Sequence, residues 1–148
     1  LKKFAQYMHE NTIDILQGSR IASGSAIKGG MPIYKYLAGK VLTFIENRVF
    51  ALRLSDYHSG FLFYSKKALQ SINFKVLSGS FDFDLEVIAS ARTRGMTIQE
   101  LPIPTRYADE ISYLNPITYG IRVLGVLAKY LTGWYSRNML PLTVKGDA

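Results

Sequence analysis

The chain has 148 residues, 48% of them apolar, which is enough for one ordinary domain with a core of its own and excludes a disordered segment. With no cysteine and only two histidines, disulfides, thiolate metal sites and a histidine-rich metal site are excluded as organising features. Lys and Arg number 18 against 11 Asp and Glu, a formal charge of +7 that calls for an anionic partner, yet the basic residues form no run and no single helical stripe, so nucleic acid is not expected.

Leu1, Phe4, Ala5 and Met8 recur at helical spacing and predict a first helix that ends by Asn11. The opening "LKKFAQYMHENTIDIL" has neither an initiator Met nor an apolar signal core, so the chain reads as a piece of something longer. "IDILQ" predicts a short strand, and residues 18–32, "GSRIASGSAIKGGMP", a long flexible loop rich in glycine and serine. Between Tyr34 and Leu52, the apolar Leu37, Val41, Phe44, Ile45 and Val49 predict an amphipathic helix, with Lys35, Lys40, Glu46 and Arg48 on its solvent face.

A turn at "SDYHSG" leads into the strand "FLFY" and then a short helix on "SKKALQSI" with Ser65 as its N-cap. The turn gathers Asp56, His58 and Ser59, residue types used in nucleophilic or metal chemistry, but such side chains more often hydrogen-bond their own backbone. "FDFDLEVIASARTRG" has acids in its first turn, arginines in its last and Gly95 after them, the order that a helix dipole favours. "TIQELPI" predicts a strand that Pro102 and Pro104 confine to an edge or an end. The tail, "LNPITYGIRVLGVLAKYLTGWY", begins as a helix at Asn-Pro. With Arg122, Lys129, Tyr130, Trp134 and Tyr135 along it, the segment suits a membrane interface or a packed carboxy-terminal helix better than a span, which needs about 20 mostly apolar residues. The element order indicates an α/β fold.

Four stretches in order, "DILQGSR", "SDYHSGFLFYSKKAL", "FDFDLEVIASARTRGMTIQELPI" and "TRYADEISYLNP", resemble the carboxy-terminal half of a family two glycosyltransferase of GT-A type, in the branch of dolichol- and polyprenyl-phosphate sugar transferases. The resemblance implies a partial, Rossmann-like GT-A domain over residues 1–115 and an amphipathic helix and tail over 116–148. It implies transfer of a sugar from a nucleotide-sugar donor to a lipid-phosphate or glycan hydroxyl acceptor, assisted by Mg²⁺ or Mn²⁺, at the cytoplasmic face of a membrane. The D-x-D acids that hold the metal in such enzymes have no counterpart here, since "DFD" opens a helix, so this chain by itself is expected to lack donor binding and activity. A non-catalytic module that binds anionic lipid is the alternative.

The resemblance also nominates residues. Asp56, Ser59 and Gly60 of the turn would lie beside the cleft, with His58 at a variable position. Ser19 and Arg20 of "QGSR" would lie near the acceptor phosphate, where a planar guanidinium binds two oxygens at once, and Lys35 would add a second cation. Asp84 and Glu86 would face the cleft as candidate proton acceptors, Asp84 standing where many lipid-phosphate members carry Gln. Without the resemblance, Arg20 is a solvated loop residue, and Asp82, Asp84 and Glu86 complement a helix dipole and cap its start, at about 0.3–1 kcal/mol each.

Overall fold

The computed structural model describes residues 2–24, 26–104 and 115–141. Its centre is a three-stranded sheet in the order β2-β1-β3, formed by β1 (Ile15–Ser19), β2 (Leu62–Tyr64) and β3 (Ile98–Pro102). β1 runs antiparallel to β2, with Ile15 opposite Tyr64, and parallel to β3, with Ile15 opposite Ile98 and Ser19 opposite Pro102. Side chains alternate across a strand, and here both faces are covered. Ile15 and Ile98 join the main core, while Leu16 packs in a smaller cluster with Met8 and Ile13, against which Phe4, Tyr7, Phe63 and Leu101 lie. That is why all five residues of β1 are buried.

Helix α1 (Lys2–Asn11) supplies the smaller cluster. The main core is built from α2 (Ile33–Phe50), α3 (Lys66–Ser71), α4 (Phe83–Thr93), α5 (Pro116–Leu131) and α6 (Trp134–Arg137). Leu85, Val87, Ile88, Ala89 and Ala91 of α4 are all buried, and Val123, Val126 and Leu127 of α5 meet them. Burying each large aliphatic side chain there contributes about 1.5–3 kcal/mol.

Local rules read from the sequence hold at several termini. The Ser65 hydroxyl accepts the Ala68 N–H at 3.1 Å and caps α3. The Asn115 side chain accepts the Ile117 N–H at 3.0 Å, with Pro116 beginning α5. Gly95 takes the left-handed conformation after α4, at φ +67°, and β3, with Pro102 at its end, is an edge of the sheet.

Three expectations are corrected. Gly18 and Ser19 belong to β1, so the loop begins later than expected; within it Ala26 and Met31 are buried and the Met31 N–H donates to the Ala26 carbonyl. Asp82 does not cap α4 with its side chain; it accepts the Ser78 hydroxyl at 2.8 Å instead. The third correction is α2, whose expected inward residues Leu37, Val41 and Phe44 are 58%, 61% and 62% exposed, while Glu46, assigned to the solvent face, is fully buried.

The physical cause in α2 is a polar clamp at its carboxy-terminal end. Asn47 exchanges two hydrogen bonds with the Leu54 backbone, at 2.8 and 2.9 Å, and accepts the Tyr57 hydroxyl at 2.8 Å. Ala51, at φ +52°, ends the helix in the left-handed region. With Asn47 fixed in this way, the face carrying Thr43, Glu46 and Phe50 turns inward, and the apolar stripe of Tyr34, Leu37, Val41 and Phe44 turns outward.

Candidate functional site

The carboxyl end of β1 meets the turn at 55–61, and most of the nominated residues lie along that junction. Gly18 makes the close approach possible: a β-carbon there would stand 2.5 Å from Phe61 Cδ1 and 2.8 Å from Ile103 Cγ2. Beside it, the fully buried Gln17 donates to Ser59 Oγ at 2.8 Å, and Ser19 Oγ lies 2.7 Å from Ser55 Oγ while accepting the Ala22 N–H at 2.9 Å. Ser55 is fixed from the sheet edge, its N–H and hydroxyl both donating to Glu100 Oε2 at 2.8 and 3.0 Å.

Arg20 and Asp56 form a two-pronged pair. Arg20 Nε donates to Asp56 Oδ2 at 2.8 Å and Nη2 to Oδ1 at 3.2 Å, and the Arg20 backbone N–H adds a contact at 3.3 Å. Asp56 also accepts the His58 N–H at 2.9 Å, and Ser59 Oγ accepts the Phe61 N–H at 3.3 Å, so the turn does hydrogen-bond its own backbone. Burial alone would raise the Asp56 carboxyl, but the Arg20 hydrogen bond and charge, joined by the His58 N–H, outweigh it and hold the group below the ordinary carboxylate range. About a quarter of the Arg20 side chain reaches solvent, against 2% for Asp56.

Asp84, in the first turn of α4, completes the site from another direction. Gly60, at φ +70°, is close to it: a β-carbon on Gly60 would meet Asp84 Oδ2 at 3.9 Å. Asp84 makes no hydrogen bond or ion pair among the described residues, and burial pushes its carboxyl above the usual value. Its charge reaches two tyrosines: Tyr64 is pushed up to about 12, first by burial and then by Asp84, and Tyr119 rises through burial and then Glu46, Asp56 and Asp84. A half-buried carboxyl of raised pKa is suited to accept a proton from an incoming hydroxyl.

Two nominated residues stand elsewhere. Glu86 is enclosed beneath α5 and α6, where it accepts from the Ser78 N–H, from Lys129 at 2.7 Å and from the Tyr135 hydroxyl at 2.9 Å. Lys35 lies in the first turn of α2, and no contact among the described residues ties it to Arg20 or Asp56. Sequence reasoning missed Gln17, Glu46, Glu100 and Tyr119. Only Glu46 carried a local signal, as the sole acid of α2, spaced with Thr43 and Phe50 on one face.

Among the described residues no group of three His, Asp or Glu side chains could hold a metal ion, so these residues do not fit the divalent ion that the resemblance implies. Asp82 and Asp84 do not act together: Asp82 turns to Ser78 and to Arg122, 3.5 Å away. The part of the resemblance carried by 105–114 lies outside the described residues.

No protein-family model matches the chain, and no solved structure matches it. Among curated proteins it is similar to the low-salt glycan biosynthesis hexosyltransferase Agl6 of Haloferax volcanii, with 28% identity over 104 residues. The alignment takes in 70% of this chain and 24% of the relative, so the chain spans about a quarter of the protein it matches. This partial likeness agrees with the glycosyltransferase resemblance carried by the sequence.

Proposed function

We propose that this chain is the acceptor-side portion of a GT-A type, family two glycosyltransferase that moves a hexose from a nucleotide sugar to a membrane-borne acceptor at the cytoplasmic face. The observation that carries the reading is the convergence of the Arg20–Asp56 pair and the unpaired, half-buried Asp84 on the Gly60 turn. In this reading the guanidinium attracts the phosphate of a donor or carrier, and Asp56 fixes its plane. Asp84 takes the proton from an acceptor hydroxyl as its oxygen bonds to the sugar carbon and the nucleotide leaves. A phosphate acceptor, already ionised, needs no such base, so Asp84 favours a hydroxyl of a lipid-carried glycan. The Mg²⁺ or Mn²⁺ expected of such an enzyme has no ligand set among the described residues.

The membrane part of the proposal is supported by α2 and α5. Exposed Ile33, Tyr34, Leu37, Val41 and Phe44 form one apolar stripe, and Ile117, Ile121, Leu124 and Leu131 form another. No helix among the described residues is long and apolar enough to cross a membrane. Apolar stripes flanked by cations suit interfacial seating, with roughly 1 kcal/mol gained per basic residue near an anionic leaflet.

The deciding experiment offers the full-length protein a panel of nucleotide sugars with Mg²⁺ or Mn²⁺, and either polyprenyl phosphate or a lipid-linked saccharide in vesicles. Transfer to the saccharide that Asp84→Asn abolishes supports the reading. Transfer to the phosphate, undiminished in Asp84→Asn, would move the acceptor to lipid phosphate. No donor turnover with any pair would leave the alternative, a lipid-binding module. For the membrane arm, Phe44→Trp gives a reporter on α2, and its fluorescence should shift to the blue with anionic vesicles. No shift at saturating lipid would end that arm.

A further inference from the structure

His58 occupies a variable position of the turn by resemblance, yet its imidazole links the site to two of the helices around it. Its Nδ1 lies 2.6 Å from the hydroxyl of Tyr119 on α5, and its Nε2 lies 3.3 Å from Glu46 Oε1 on α2. The Nε2–Glu46 distance is that of an ion pair, although the atoms lie off a hydrogen-bond line, so that neither Glu46 oxygen has a hydrogen-bond partner. Glu46 is fully buried, and among described residues His58 is the group that pairs with it. A buried carboxylate without a partner is strongly destabilising, so the Glu46–His58 contact is the one that lets α2 keep its acid inside. The Tyr119 hydroxyl, which can either donate to Nδ1 or accept from it, holds the other side of the ring.

We propose that His58 is the positioning residue of the Arg20 site: held between Glu46 on α2 and Tyr119 on α5, it fixes the turn whose Asp56 carboxylate orients the Arg20 guanidinium. The link from ring to arginine is short. The backbone N–H of His58 donates to Asp56 Oδ1, the same oxygen that receives Arg20 Nη2. Tilting the His58 residue therefore moves one of the two prongs. α2 and α5 also carry the exposed apolar stripes, so the ring joins the helices that bear them to the turn that holds the arginine. The use of that coupling in sugar transfer rests on the function proposed above; the geometry does not.

The test is made on the full ¹⁵N-labelled chain in a His9→Gln background, so that one imidazole remains, by recording the His58 ring nitrogens and the water exchange of the Arg20 Nε–H. Wild type should show an Nδ1 resonance shifted by its hydrogen bond to Tyr119 and a protected Arg20 Nε–H. Tyr119→Phe, which removes one oxygen, should return Nδ1 toward an unbonded shift and speed the Arg20 Nε–H exchange roughly tenfold, about one hydrogen bond's worth of local stability. His58→Ala should do at least as much. Val123→Ala, on the same helix, removes buried apolar volume but no hydrogen bond to the ring; it lowers overall stability and should leave the Arg20 signal in place. An Arg20 exchange rate unchanged in folded Tyr119→Phe, or raised equally by Val123→Ala, would overturn the proposal. Should His58→Ala fail to fold, Tyr119→Phe alone decides.

Discussion

Replacing Glu86 separates a structural acid from a catalytic one. In Glu86→Ala the Tyr135 hydroxyl, on a residue 3% exposed, and the Ser78 N–H both lose their acceptor. Hydrogen bonds to a charged acceptor contribute roughly 1.5–3 kcal/mol each. Lys129, with 40% of its side chain exposed, can turn to water, so its ion pair adds little. The two lost acceptors together come to about 3–6 kcal/mol. At roughly 2–4 °C per kcal/mol for a chain of this size, the melting temperature should fall by about 10 °C. Glu86→Gln keeps one acceptor oxygen and should lose about half as much, and Lys129→Met should change stability by less than about 1 kcal/mol. The assay is urea and thermal unfolding followed by circular dichroism. A Glu86→Ala variant within about 1 kcal/mol of wild type would refute the enclosed network. In the full-length protein, Glu86→Gln with unchanged stability and abolished turnover would return Glu86 to the chemistry.

Gly18→Ala should destabilise by about 1–3 kcal/mol through overpacking, since Phe61 is braced by Phe4 and Phe63 at ring separations of 5.7 and 5.2 Å. A gain of about 0.4–1 kcal/mol, usual for Gly→Ala where the site tolerates it, would refute the close approach. Burial holds the Asp84 carboxyl above its unfolded value of about 3.9. The unfolded chain therefore releases that proton first, and stability falls as pH rises from about 4 through the folded value. Asp84→Asn should remove that fall and be at least as stable as wild type at pH 7; an unaltered pH profile of the melting temperature would count against the raised pKa. Arg20→Ala leaves the buried Asp56 carboxylate unpaired and should lower both stability and turnover of the full-length protein, whereas Arg20→Lys keeps the charge without the two-pronged fit and should recover part of each. Wild-type turnover in both would remove Arg20 from the site.

What could be read in the sequence follows the range of the forces involved. The Ser65 cap, the Asn115-Pro116 start and the left-handed Gly95 are decided within four residues, and each was legible. Arg20 and Asp56 were both nominated for the site, but their mutual pairing spans 36 positions and no local pattern expresses it. The face of α2 failed for the same reason: apolar spacing put Leu37, Val41 and Phe44 inside, whereas Asn47 and His58, through contacts made after the chain turns back, put Glu46 there. That reversal also explains what the overall charge could not. The basic residues look scattered along the chain, yet α2 contains a single acid and buries it, and α5 contains none, so the outward side of α2 presents exposed Lys40 and Arg48 beside its apolar stripe. Lys40 lies over the Tyr36 ring at 5.7 Å and Arg48 over Phe44 at 5.5 Å, cations resting on aromatic faces at the edge of the stripe. The fold thus sorts a diffuse positive charge into a surface that is apolar along its middle and cationic at its margin, while the single acid of α2 is turned inward to face His58.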